Sequence, residues 1–252
     1  GFERAALREP ASRFLLTDAV EVPHRAHVIE KNLALVSGAL GIETSGAPQA
    51  WQFPITISHD HRLEADAVAP RNEGDFAILN PGGGWTTKLW DADRFALLAD
   101  ALWERHNLRS IIAYGPHEEA LAARIVSASR SGHTQAASLT LKGLYALMKQ
   151  ARVYVGGDTG PTHLAVAAGT PVVGLFGPTE WWRNGSPRAD DICVERDDIN
   201  CRANCHRRAC PVWVCMDIEV GRALDAVTER LQRAERKSDA TKNLKAETIF
   251  AS

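Results

Sequence analysis

Three stretches of this 252-residue sequence combine residue types and spacing suited to holding a charged small molecule. The first is Asn80-Pro81-Gly82-Gly83-Gly84-Trp85-Thr86-Thr87-Lys88-Leu89-Trp90. Its three glycines let backbone N–H groups approach an anion closely, and Lys88 adds a positive charge where a helix begins. A flexible loop with a solvated lysine would read the same way. It is not a P-loop, because the G-x-x-x-x-G-K-[ST] spacing is absent. The second is Gly157-Asp158-Thr159-Gly160-Pro161-Thr162-His163. Asp158 can cap a helix or accept from ligand hydroxyls, Gly160 tolerates positive φ, and Pro161 suits a first helical turn. Thr159 Oγ and the open N–H groups of that turn make an anion site, with His163 close enough to donate to a phosphate. A well-capped helix carrying a buried histidine is the structural alternative. The third, Gly177-Pro178-Thr179-Glu180-Trp181-Trp182, either flanks the same cleft or only packs. Glu118 and Glu119 follow Gly115-Pro116 at a helix start, where a carboxylate either accepts both hydroxyls of a ribose or complements the helix dipole.

Four of the five cysteines fall in Cys201–Cys215 with C-x3-C-x4-C-x4-C spacing. Such clustering invites zinc, with His206 as a spare ligand, but the paired C-x2-C knuckles of most structural zinc sites are missing. The expectation is a structural loop without metal, and Cys193 in the core.

The elements that must position these loops alternate short apolar runs with helical patterns from Asp75 onward, the signature of βαβ units on a parallel sheet. Phe76–Leu79, Ser110–Tyr114, Val153–Gly156 and Pro171–Phe176 read as strands. Helices are expected after Asp91 (Phe95, Leu98, Leu102 inward), over Glu118–Ser129, from Thr140 (Leu144, Leu147, Met148 inward), and over about Thr162–Ala168. A last helix from near Asp217 dissolves at Arg236 into a polar tail expected to be mobile. In a doubly wound sheet, ligands sit outside the carboxyl ends of the strands, where all three loops fall. The first 60 residues differ. His27–Leu40 is helical and stops at Gly41, and Ala47–Thr56 reads as a linker and a short strand. The division expected is 1–44 as the end of one unit, 45–70 as linker, 71–235 as the sheet domain and 236–252 as tail.

Composition narrows the field. With 45% hydrophobic and 24% charged residues the chain is an ordinary globular protein, so disorder and collagen are excluded. A net charge of −2 leaves no electrostatic footprint for nucleic acid, and no apolar run approaches a membrane span. No G-x-G-x-x-G follows a strand, which argues against a dinucleotide oxidoreductase. Gly1 opens the chain and Phe2–Leu7 reads as the interior of something longer, so an N-terminal part is expected upstream.

In order and spacing the segments Asn80–Trp90, Val155–His163 with Leu164-Ala165, Gly174–Thr179 and Cys215–Ile218 resemble glycosyltransferase family 9, the ADP-heptose:lipopolysaccharide heptosyltransferases. The resemblance covers nearly the whole chain to about Leu231. It implies an α/β GT-B fold, with a C-terminal Rossmann-like, doubly wound parallel sheet that binds the nucleotide sugar and Arg8–Gly41 as a remnant of the N-terminal half. Donor-binding residues carried over are Lys88 on the diphosphate, Asp158, Thr159, Gly160 and His163 on sugar and phosphates, Glu118 on the ribose and Leu139 beside the adenine. Where some relatives have two threonines this chain has Gly83 and Gly84, so backbone N–H groups or Thr86 and Thr87 would replace those hydroxyls. The implied chemistry is inverting, metal-independent and cofactor-free transfer of heptose from ADP-heptose to a lipid-anchored core oligosaccharide, at the cytoplasmic face of the inner membrane without spanning it. The base, an aspartate near the N-terminus of the full protein, is expected upstream, so this chain alone is expected not to transfer sugar. The alternatives are a GT-B enzyme using another nucleotide sugar and a non-catalytic nucleotide-binding module.

Overall fold

The structure, a computed structural model, describes residues 1–7, 9–23, 25–43, 51–69, 75–201, 205 and 208–250, with 241–250 as backbone only. Six strands form one parallel sheet: β1 (Phe76–Asn80), β2 (Arg109–Ala113), β3 (Thr134–Ala137), β4 (Val153–Gly156), β5 (Val172–Phe176) and β6 (Ile192–Glu195). Their order is β3-β2-β1-β4-β5-β6, so winding reverses between β1 and β4. That switch point is where a doubly wound sheet opens a crevice at its carboxyl edge.

Both faces are apolar, as a sheet covered on two sides requires. Ala77, Leu79, Ile112, Val153, Val155, Val173 and Leu175 face one layer, built by α3 (Ala92–His106), α4 (Glu119–Ala128) and α8 (Val220–Phe250). Phe76, Ile78, Ile111, Tyr154 and Val172 face the other, built by α2 (His59–Val68), α5 (Leu141–Met148) and α6 (Gly160–Ala168). In α3, Asp91 accepts from the N–H groups of Asp93 and Arg94, Asn107 closes the helix in the left-handed region, and Phe95, Leu98 and Leu102 are buried. Each of these side chains contributes about 1.5–3 kcal/mol by leaving water.

Four elements depart from expectation. The later part of the segment read as linker, His59–Val68, is α2, whose single apolar row (Ala65 and Val68, extended by Ile57) is too sparse to show as periodicity. Glu64 accepts from the Thr140 N–H and hydroxyl, fastening α2 to the start of α5. Edge strands β3 and β6 were not foreseen, being four residues each and half-exposed; Cys193 lies on β6, partly buried rather than in the core. The last helix does not end at Arg236 but continues to Phe250, since no glycine or proline follows Gly221 to break it. The expected residues 44–50 and 70–74 of the linker region, and His206, lie outside the described residues.

Ahead of the sheet, α1 (Val28–Leu40) is capped by His27 and ends on Gly41 at φ 66°. It buries no side chain of its own. His27 anchors it, its Nε2 lying 3.0 Å from the Gly185 carbonyl next to the short helix α7 (Trp181–Asn184).

Candidate functional site

The crevice at the switch point is a cavity of about 720 Å³ between the loops that follow β1, β2 and β4. Its walls include Gly83 and Gly84 from the first loop, Glu118 from the β2 side, Thr159 and Gly160 from the β4 loop, and Leu139 with Leu141 and Leu144 at an apolar end. Of the residues expected from the sequence, Gly83, Gly84, Glu118, Leu139, Thr159 and Gly160 meet on its walls, whereas Lys88, Asp158, His163, Thr86 and Thr87 do not line it.

Asn80, a polar residue ending a buried strand, sets this geometry. Its Nδ2 donates to the Ala113 carbonyl at 2.8 Å, and its Oδ1 accepts from Thr159 Oγ1 at 3.4 Å, so one side chain links β1, β2 and the β4 loop. Below it Tyr154 OH lies 3.1 Å from Thr162 Oγ1, which bonds the Gly157 carbonyl. Burial pushes the Tyr154 phenol well up, so it stays a neutral hydrogen-bonding group. None of Asn80, Tyr154 and Thr162 was singled out from the sequence. The signal was available in Asn80, since a buried amide must find partners.

Glu118 braces the two loops. Its Oε1 accepts the Gly83 N–H at 3.1 Å and its Oε2 the Gly115 N–H at 2.8 Å. A Cβ on Gly82 would lie 2.1 Å from the Glu118 carboxylate, so a larger residue there would have to push this brace aside. Each Glu118 oxygen keeps a second lone-pair direction for a ligand hydroxyl. Glu119 is exposed on the first turn of α4.

Lys88 and Asp158 form an ion pair at 2.7 Å, with side chains only 15% and 9% exposed. Asp158 is thus held by the lysine instead of capping α6, and the N-cap Thr159 makes no side-chain cap bond; in the first turn Pro161 has no N–H and the Thr162 N–H bonds the Thr159 carbonyl at 3.2 Å, so Gly160 supplies the N–H donor at the cavity wall. Gly83 and Thr159 approach so closely that a Cβ on Gly83 would be 3.2 Å from Thr159 Cγ2. His163 Nε2 stands 4.0 Å from Asp158 Oδ1 with its ring half-exposed. Burial lowers the His163 pKa, Asp158 opposes this, and His27 and Lys88 lower it further, so the imidazole is neutral at pH 7.

The two threonines take other roles. Thr87 is buried, and Thr86 Oγ1 donates to the Arg208 carbonyl at 3.2 Å. The cysteine segment docks here: Trp213 Nε1 donates to the Thr87 carbonyl at 2.9 Å, so this segment buttresses the Lys88 loop. None of the five cysteines, all among the described residues, is in a disulfide. Burial raises the Cys215 pKa, with a further push from Cys201, Cys210 and Cys205 nearby. Among the described residues, no group of three or more His, Cys, Asp or Glu side chains is placed to hold a metal.

Comparison with known proteins fits this geometry. Lipopolysaccharide heptosyltransferase 3 of Escherichia coli K12 is 29% identical over 167 residues, 64% of this chain and 47% of that protein. Lipopolysaccharide heptosyltransferase 1 of Pseudomonas aeruginosa PAO1 is 27% identical over 213 residues, 83% of this chain and 56% of that protein. The chain thus spans about half the length of the curated relatives it matches. In fold it is similar to the glycosyl transferase family 9 protein from Veillonella parvula (TM-score 0.70, 20% identity, 87% of this chain and 65% of that one). It is also similar to E. coli heptosyltransferase WaaC solved with ADP (TM-score 0.58, 20% identity, 77% and 57%). The sheet is the α/β, Rossmann-like half of a GT-B architecture. The sequence profile of glycosyltransferase family 9 (heptosyltransferase) matches residues 1–212, and the chain belongs to that family.

Proposed function

We propose that this chain carries the donor side of a heptosyltransferase that moves heptose from ADP-heptose to a lipopolysaccharide core. The observation that supports it most is the cavity itself. It has an apolar end at Leu139, Leu141 and Leu144 for a base, a carboxylate at Glu118 for ribose hydroxyls, and an open helix start at Gly160 near Lys88 for phosphates. The relatives' names and the ADP bound in the WaaC structure favour the same donor. In this reading the acceptor hydroxyl attacks the anomeric carbon with inversion, and ADP leaves as Lys88 and the Gly160 N–H at the start of α6 take up its growing charge. Asp158 and Glu118 are already engaged, by Lys88 and by two backbone donors, so the base is assigned to the acceptor side. The 252-residue chain alone is accordingly expected to bind donor nucleotide and give no transfer. No described helix is long and apolar enough to cross a membrane; the proposed place of work is peripheral, at the cytoplasmic face of the inner membrane, with the acceptor lipid-anchored.

Calorimetric titration with ADP, UDP and GDP tests the donor. ADP is expected to bind most tightly, and the heat at pH 6 to 6.5 to vary with buffer ionisation enthalpy. The sign follows from His163: its pKa is lowered in the free chain, a phosphate beside it raises it again, and binding therefore takes up protons. Equal affinity for all three nucleotides, or proton uptake unchanged in His163→Gln, would contradict the assignment. The reading needs no metal. Elemental analysis of chain purified without chelator is expected to find substoichiometric zinc, whereas a stoichiometric, chelator-sensitive ion would make residues 201–215 a metal-closed folding unit.

A further inference from the structure

The cysteine segment reaches the Lys88 loop with an arginine at its point of contact. Arg208 places its guanidinium carbon 5.2 Å from the centre of the Trp85 ring, and Lys88 Nζ lies 4.3 Å from the same centre. Two cations from segments 120 residues apart thus share one indole. Thr86 bonds the Arg208 carbonyl at 3.2 Å and Trp213 bonds the Thr87 carbonyl at 2.9 Å, so the backbone that carries the guanidinium is fixed to the loop independently of its charge.

Charge balance says what that guanidinium is for. A nucleoside diphosphate brings two to three negative charges, while Lys88 is already paired with Asp158 at 2.7 Å and contributes little net positive field. Among the described residues, Arg94 is committed to Asp217, and Arg196 to Asp198 and Asp217. Arg208 is exposed, and its planar fork can grip two phosphate oxygens while still lying on the indole. We propose that Arg208 is the second cation of the diphosphate site, delivered by the cysteine segment of the same chain and binding the phosphates of the donor nucleotide. This rests on the donor reading given above and adds a residue to it. It also gives residues 201–215 a purpose beyond packing: they hold a phosphate-binding side chain against the loop.

The test is calorimetry on the full chain, comparing adenosine, AMP and ADP for wild type, Lys88→Ala, Arg208→Ala and Arg208→Lys. Arg208→Ala is expected to weaken ADP binding by about five- to twentyfold and to leave adenosine unchanged, with Arg208→Lys intermediate. The fastening bonds to Thr86 and Thr87 are made by the Arg208 backbone and by Trp213, so they persist in both variants. ADP affinity within twofold of wild type in Arg208→Ala, while Lys88→Ala remains impaired, would overturn the role of Arg208 and leave the donor site standing. Equal losses for adenosine and ADP would also overturn it, by showing that the guanidinium shapes the loop. Wild-type chain that binds none of the three would overturn both readings.

Discussion

Replacing Lys88 by alanine is expected to weaken ADP binding by about 1–3 kcal/mol, roughly fivefold to 150-fold, with the upper part of the range favoured. A charge-assisted bond to phosphate accounts for the lower part. The rest comes from Asp158, whose carboxylate is 9% exposed and lies 2.7 Å from the ammonium. Without Lys88 that carboxylate faces the incoming phosphates uncompensated, and two like charges a few ångströms apart in a partly buried site repel more strongly than in water. The sign for the partner is opposite. Asp158→Asn releases Lys88 from its ion pair, so ADP affinity should hold or rise. A Lys88→Ala, Asp158→Asn double variant should recover part of the Lys88→Ala loss, because the repulsive partner has gone. Calorimetry of the set gives the coupling energy directly. Unchanged ADP affinity in Lys88→Ala would place the phosphates elsewhere.

How much of this was legible in sequence depends on which interactions are local. The strands β1, β4 and β5 are continuous apolar runs ended by glycine-bearing loops, and α3 carries its own start signal in Asp91. Those are properties of single segments, so they read directly. The convergence of Lys88, Asp158, Thr159 and Glu118 followed from the rule that loops at strand carboxyl ends share a crevice. What they do to one another did not. Asp158 read as a helix cap or an acceptor for ligand hydroxyls and is Lys88's partner; Glu118 read as a ribose acceptor or a complement to the helix dipole and is the brace between Gly83 and Gly115. Both facts need the strand order, which sets β2 beside β1 and β4 on the other side, and no spacing along the chain encodes it. The same holds for Arg208, whose contact with Trp85 crosses the whole domain. Elements whose burial is slight went unseen for a different reason: β3, β6 and α2 present too few apolar positions to make a period.

The polar core far from the cavity supplies the largest expected effect on stability. Asp191, just before β6, has a fully buried side chain. Its Oδ1 accepts from Arg230 Nε at 2.7 Å and from the Val172 N–H at 3.0 Å, and its Oδ2 from Ser186 Oγ at 2.5 Å. Arg230, 6% exposed in its side chain, belongs to α8, so this carboxylate ties the last helix to the start of β5. Asp191→Ala would strand a buried guanidinium and remove the acceptor from a backbone N–H and a hydroxyl at once. Breaking a buried pair from one side costs about 3–5 kcal/mol, and the lost acceptor adds to it. For a domain of this size that corresponds to a fall in Tm of about 10 °C or more. Replacing both partners together, Asp191→Leu with Arg230→Met, removes the uncompensated charge and should cost clearly less than Asp191→Ala alone, although the Val172 N–H still loses its acceptor. Urea denaturation of the three proteins separates the cases. A loss below about 1 kcal/mol in Asp191→Ala would mean that water reaches Arg230 and that α8 is not fastened through this pair. ADP binding by the folded variants should be unchanged, because none of these residues lines the switch-point cavity or bonds to Lys88 or Asp158.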